Sequence, residues 1–413
     1  MPKGSHRVFS LPNLQSIKWI NKKRPLLALL LIAATLRPSV TSIPPQVDSI
    51  RKSLGLSLTA FGFLTSIPVI CFGIAAPIGI SLYFRRRSTD TIIGALLIAL
   101  IVGTLLRPLL GSTVLFAGTF LASVAVAGLN ILVPVIFKRN FATQLTRLLP
   151  LYTVVLATFA TLGAFLSIPI SEHTTKDWKG GTIVWALLPI LALLGWFPMM
   201  KKTKDLGILE KPVVSKTDWK SLFSDRVSWS VTGLMMVQST IFYSTIAWLP
   251  KTFLDWGYSA SSAGSMLAFA TAVSIPFSLL VPFLFGQGID QRIPMMLVTT
   301  ASLIGLLGMA SGPSAATWIW ILMLGIGQSS LPTLLIIMVL RARTVDEAGP
   351  LSAMAQGLGY IVASVGPIIV GVISRSSSGW RAAYLYLACV CLVGLRMGYL
   401  AGKPRATETS PLK

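Results

Sequence analysis

Apolar residues in this chain come in unbroken runs near 20 residues long, separated by short polar stretches. A run of that length spans a bilayer as a helix. Only helices and closed barrels satisfy their backbone polar groups in lipid, and the ten-residue alternating segments of barrel strands are not seen. The pattern predicts twelve spans, at 25–43, 60–83, 91–110, 113–136, 149–170, 181–200, 227–249, 261–285, 294–311, 316–340, 350–373 and 380–402. The longest polar stretch, Lys201–Arg226, falls between the sixth and the seventh. The expected fold is all-α, a polytopic membrane protein with twelve transmembrane helices in two six-helix bundles. The expected organisation is a basic leader at 1–24, a first bundle at 25–200, a central loop at 201–226, a second bundle at 227–402 and a tail at 403–413.

The two halves resemble each other. Ser57 and Gly62 recur as Ser259 and Gly264, and Ser66-Ile-Pro68 recurs as Ser274-Ile-Pro276. Pro44, Pro134, Tyr152 and Trp178 match Pro250, Pro332, Tyr360 and Trp380. The offsets stay between 198 and 208 residues, always in order. Such a register argues for duplication of a six-helix unit. An even helix number gives both copies the same topology, so the repeat is parallel.

Charge sharpens the topology. Only 12% of residues are charged, against about 25% in soluble domains. The net charge of +22 would suggest nucleic acid in a soluble protein; here the cations read as topology signals. With the amino terminus taken as cytoplasmic, 25 of 35 cations fall on the cytoplasmic side and 7 in outer loops. This bias supports an orientation with both termini cytoplasmic, and the expected location is the inner membrane of a bacterial cell. Cys71, Cys389 and Cys391 lie in apolar runs and read as small hydrophobes, not as a disulfide framework. No cleaved signal peptide is read in the leader.

Three cations remain inside spans: Arg37, Arg107 and Arg396. All thirteen carboxylates fall between apolar runs or in the tail. A cation at bilayer depth is costly, and Arg37 lies roughly 18 Å into its span at 1.5 Å per residue. It either snorkels outward or meets a ligand, and the polar, bendable surroundings of Thr35, Pro38, Ser39 and Thr41 favour the ligand. Its counterpart in the repeat is Tyr243. Arg107, near Gly111, is expected to snorkel to the outer interface, and Arg396 to the cytoplasmic one. The amides Asn130, Gln238, Gln328 and Gln356 either hold helices together or line a central pocket. Gln238 stands five residues from Tyr243, and Gln356 four from Tyr360, a spacing that shares a helical face. Trp185, Trp196 and Trp248 read as interface or packing residues.

Several motifs carry a family resemblance. They are Thr35-Leu-Arg-Pro-Ser-Val-Thr-Ser-Ile-Pro-Pro45, Asn130-Ile-Leu-Val-Pro134, Gln238-Ser-Thr-x-Phe-Tyr243, Gly325-Ile-Gly-Gln-Ser329, Leu340-Arg-Ala-Arg343 and Leu351-Ser-Ala-Met-Ala-Gln-Gly-Leu-Gly-Tyr360. Together, across residues 25–402, they resemble the cyanate and 2-nitroimidazole transporters of the major facilitator superfamily. The resemblance implies the major facilitator fold and a transport role. One departure stands out. The superfamily's loop after the second span carries an Asp where this chain has Tyr83. A gating salt bridge at that position is therefore doubtful, and Arg85, Arg86 and Arg87 read first as topology signals.

The expected function is secondary or facilitative transport of a small anionic or planar polar solute by alternating access. The solute site is expected to use Arg37, Asn130, Gln238, Tyr243, Gln328, Gln356 and Tyr360, with Arg85, Arg86, Arg87 and Arg107 in gating or topology. An exporter of toxic or drug-like compounds is the alternative, followed by a channel or a membrane sensor. No nucleophile elbow, His-Glu-x-x-His or P-loop motif points to an enzyme. No cofactor, metal or nucleic-acid partner is expected, and the protein is expected to act as a monomer. No His, Asp or Glu lies inside a span to carry a proton, so exchange, facilitated movement or coupling through the solute's own proton is favoured.

Overall fold

The computed structural model describes residues 23–78, 89–109, 111–141, 144–174, 177–206, 219–285, 290–376 and 379–404. These are helical almost throughout. The first half contains α1 (Lys23–Leu36), α2 (Pro38–Thr41), α3 (Val47–Leu54), α4 (Leu58–Ile78), α5 (Thr89–Leu106), α6 (Gly111–Asn140), α7 (Leu145–Thr174), α8 (Trp178–Ile183) and α9 (Leu187–Leu206). After α10 (Trp219–Ser224), the second half contains α11 (Arg226–Asp255), α12 (Ala260–Phe285), α13 (Arg292–Ala310), α14 (Thr317–Gln328), α15 (Ser330–Arg341), α16 (Val345–Ala363), α17 (Val365–Ile373) and α18 (Gly379–Gly402).

Eleven helical stretches among the described residues are long and apolar enough to cross a membrane. The one expected span outside this set, the seventh, is α11. It is 30 residues long, but Ser228, Thr232, Ser239, Thr240, Ser244 and Thr245 lower its hydropathy, and all six are buried against other helices. A span shielded from lipid by its neighbours can carry such residues.

The spans differ from the expected ones at their breaks. The first continues to Leu54, through a 3-10 turn at Pro44–Gln46. The tenth is broken at Ser329, between α14 and α15, and the eleventh at Ser364, between α16 and α17. Pro250 does not end the seventh span, because α11 runs through it to Asp255.

Packing sorts the helices into two groups. In the first half α1 packs on α7 and α9, and α5 on α6 and α9. In the second, α11 packs on α16 and α18, and α13 on α14 and α18. The groups meet along two seams, α7 against α12, and α4 against α16 and α17. Close approach explains Gly62 in α4. A Cβ there would meet the Pro367 carbonyl oxygen at 2.8 Å and the Trp248 ring at 3.2 Å. One end of the molecule, where α9 stops and α11 starts, is the linker end. The other is the far end.

Candidate functional site

Between the two groups lies a cavity of about 1470 Å³. Its walls come from the later part of α6 (Asn130, Pro134), the start of α7 (Tyr152, Thr153), the end of α12 (Pro276, Ser278) and α15 (Leu331, Leu335). These stretches all lie toward the linker end. Arg37, Tyr243, Gln356 and Tyr360 line the same space.

Local structure brings Arg37 there. α1 stops at Leu36, and Pro38, which has no N–H, starts α2. Thr35 and Ser39 hydroxyls turn back to carbonyls of their own helical turn, and the Arg37 carbonyl accepts from Val40 and Thr41. The broken helix is clamped from outside. Thr41 donates to the Ala160 carbonyl of α7 at 2.9 Å, and a Cβ at Gly163 would collide with Thr41 and Pro38. Arg37 is left half-buried at the cavity wall.

The guanidinium lies against the Tyr243 hydroxyl, with Tyr360 and Tyr152 within its electrostatic reach. Tyr243 and Tyr360 meet edge to face with centroids 6.0 Å apart, and Phe72 meets Tyr360 at 5.7 Å. No carboxylate lines the cavity among the described residues. The arrangement offers one cation, three phenols and an aromatic wall. It can hold a negative or acceptor edge at Arg37 and a flat face against the rings. Gln356 donates to Ser352 at 2.7 Å on the same wall.

Five of the seven residues expected at the site thus share one cavity: Arg37, Asn130, Tyr243, Gln356 and Tyr360. Gln238 and Gln328 do not. They line a separate small pocket inside the second half, with Thr245, Ser302 and Ser330. Five residues of helix turn Gln238 about 140° away from Tyr243, so the two face different ways. Arg85, Arg86 and Arg87 lie outside the described residues.

Arg107 corrects another expectation. It does not snorkel but is 2% exposed, and its Nη1 donates to the Ser39 carbonyl at 2.6 Å. Carbonyls in the last turn of a helix need outside partners, and α2 ends two residues later. Arg396 is exposed on α18. Trp196 and Trp248 are buried packing residues.

Tyr152 and Phe72 were absent from the expected site. Tyr152 is the repeat counterpart of Tyr360, so the rule that paired Arg37 with Tyr243 could have found it. Nothing in the apolar run around Phe72 marks it.

The far end is closed. Lys251 of α11 reaches Asp48 of α3 at 3.0 Å, across the two halves, and Asp255 at 2.5 Å. Asp48 also faces Arg51 at 3.5 Å. Asp255 accepts from the Trp380 indole at 2.9 Å. Gln46, Ser171 and Thr182 form a buried hydrogen-bonded group nearby.

A family model described as Major Facilitator Superfamily matches residues 27–364. The chain is 33% identical to the uncharacterized transporter YycB of Bacillus subtilis (strain 168), covering 91% of this chain and 93% of that one. It is 28% identical to the 2-nitroimidazole transporter of Escherichia coli (strain K12), covering 91% and 95%. It is 29% identical to the cyanate transport protein CynX of the same organism, covering 90% and 94%. Among solved structures, a D-xylose-proton symporter superposes with a TM-score of 0.73 at 13% identity, covering 93% of this chain and 99% of that one.

Proposed function

The chain belongs to the Major Facilitator Superfamily, whose members are membrane transporters and not enzymes, and from that premise we propose that its cargo is a small anionic or planar polar solute bound at Arg37. The observation that carries this reading is the Arg37 guanidinium at the cavity wall. It is ringed by Tyr152, Tyr243 and Tyr360, and among the described residues no carboxylate lines the cavity beside it. A cation at bilayer depth without an acidic partner is costly, and an anionic cargo supplies the missing charge. Two full-length relatives are named for cyanate and 2-nitroimidazole, a small anion and a planar heterocycle.

The cycle is alternating access. The central cavity, open toward the linker end and closed by Lys251 and Asp48 at the far end, is one terminal state. The two six-helix bundles, 25–200 and 227–402, rock about the seams between α7 and α12 and between α4 and α16. The cation bias supports a cytoplasmic linker end, and we place both termini on that side of a bacterial inner membrane. Proton coupling through an internal carboxylate is disfavoured, since none of the described residues lining the cavity is acidic. Exchange, facilitated movement or coupling through the cargo's own proton remains, in a protein that works as a monomer.

A second reading draws on cavity size. About 1470 Å³ exceeds the 300–1,000 Å³ of ordinary small-molecule sites. That room suits export of a bulkier drug-like compound.

The test is a thermal-shift screen of purified protein against cyanate, small carboxylates and nitroheterocycles. Uptake and efflux in vesicles follow, with wild type and Arg37→Gln. Stabilisation and transport by an anion or planar heterocycle, both lost in the variant, are expected. Wild-type transport by Arg37→Gln sinks the proposal. Stabilisation only by bulky cationic or neutral compounds favours the exporter.

A further inference from the structure

Tyr243 is a wall with two sides. One side faces Arg37 and the large cavity. The other faces a small pocket of about 20 Å³ toward the far end, whose polar lining is Ser39, Thr65, Arg107 and Thr119. Residues of both halves enclose it, since Ile246 and Ala247 also line it.

Arg107 is the reason to look closely. Its Nη1 is held by the Ser39 carbonyl at 2.6 Å, but its Nε is buried without a hydrogen-bond partner. None of the ion pairs among the described residues includes Arg107, and no carboxylate lines the pocket. Thr119 lies beside it, 3% exposed, with its Oγ1 also unpartnered. A buried guanidinium bonded only to a neutral carbonyl keeps its full charge. A charge this deep calls for a counter-ion. The volume admits one occupant about the size of a water molecule. Val40, Ile43, Pro44, Leu64 and Pro68 complete the walls and suit a weakly hydrated, monatomic species.

We propose that Arg107 and Thr119 form a second anion site, on the far side of Tyr243, which holds a single halide-sized monovalent anion. The same chemistry has two sources: free chloride, or the anionic group of a small cargo that has passed Tyr243. In the first case the site sets a chloride dependence. In the second, cargo moves between two arginines separated by one tyrosine. The inference concerns a site distinct from Arg37, so it stands or falls separately from the cargo reading.

The experiment uses the full-length protein in detergent, in halide-free gluconate buffer. Thermal stability is followed as chloride, bromide or cyanate is added, for wild type, Arg37→Gln, Arg107→Gln and Thr119→Val. Wild type and Arg37→Gln are expected to gain stability saturably with chloride and bromide. Thr119→Val should need several-fold more anion, and Arg107→Gln should not respond. Should Arg107→Gln fail to fold, Thr119→Val decides, because it leaves the Arg107–Ser39 bond in place. A response to cyanate alone that Thr119→Val weakens and Arg37→Gln spares assigns the site to the cargo's anionic group. The proposal is overturned by a wild type that shows no saturable response, as for a pocket that holds only water. It is also overturned by a response that Thr119→Val leaves unchanged, or that Arg37→Gln alone removes.

Discussion

The two ends of this molecule use charge in opposite ways. At the far end, Lys251, Asp48, Asp255 and Arg51 are paired with one another. At the cavity, Arg37 faces phenols and open space, with no acid on the wall among the described residues. The same helices serve both ends: α11 carries Tyr243 at the cavity and Lys251 at the closure. The lesson is that closure consumes charge within the protein, whereas the proposed cargo site leaves it unspent.

The largest expected effect comes from removing the unspent charge. Truncating one partner of a buried charge pair costs about 2–5 kcal/mol. Arg37→Gln should therefore weaken cargo binding by roughly 30-fold or more, as read by calorimetric titration with whichever anion the screen selects. An affinity within two-fold of wild type would erase the contrast between the ends.

Forcing the far end apart comes next. In Gly62→Leu the new side chain meets the backbone of Pro367, which cannot yield as a flexible tip would. Overpacking of this kind costs about 1–3 kcal/mol. The variant should unfold at lower temperature, and a cysteine placed at the far end should label faster with a polar maleimide. Unchanged labelling would show that Gly62 does not govern closure.

Asp48→Asn tests the closure by charge alone. Asp48 is partly exposed, so the loss should be about 1 kcal/mol. Spin-label distances across the far end should show its open form enriched by roughly five-fold. Tyr360→Phe removes one hydroxyl from the cavity and should weaken cargo binding a few-fold, about 1 kcal/mol. The smallest effect is expected at Gln238→Leu, which alters the separate pocket of the second half and should leave cargo affinity within two-fold. A large loss there would redraw the site.

These predictions rest on features of uneven legibility. Long apolar runs revealed the spans, because lipid demands them over the full length of a helix. Duplication placed Tyr243 against Arg37, because a parallel repeat puts matching positions at matching depth. Side-chain direction was harder. Arg107 looked close to an interface by residue count, yet its side chain turns inward to a carbonyl freed at the end of α2. Gln238 looked close to Tyr243, yet the turn of the helix parts them. The breaks at Ser329 and Ser364 leave no mark in the sequence, since an apolar run reads the same through a broken helix as through a whole one.

One consequence concerns the Lys251 closure. Asp48 has Arg51 three residues along its own helix, and Lys251 has Asp255 four residues along its own. When the halves separate, neither ion is stranded: each leaves with a mate from its own chain segment. What water must then solvate is a pair of neutral dipoles, not two naked charges. In the proposed cycle the fastening can thus be undone and remade without a solvation barrier of its own making.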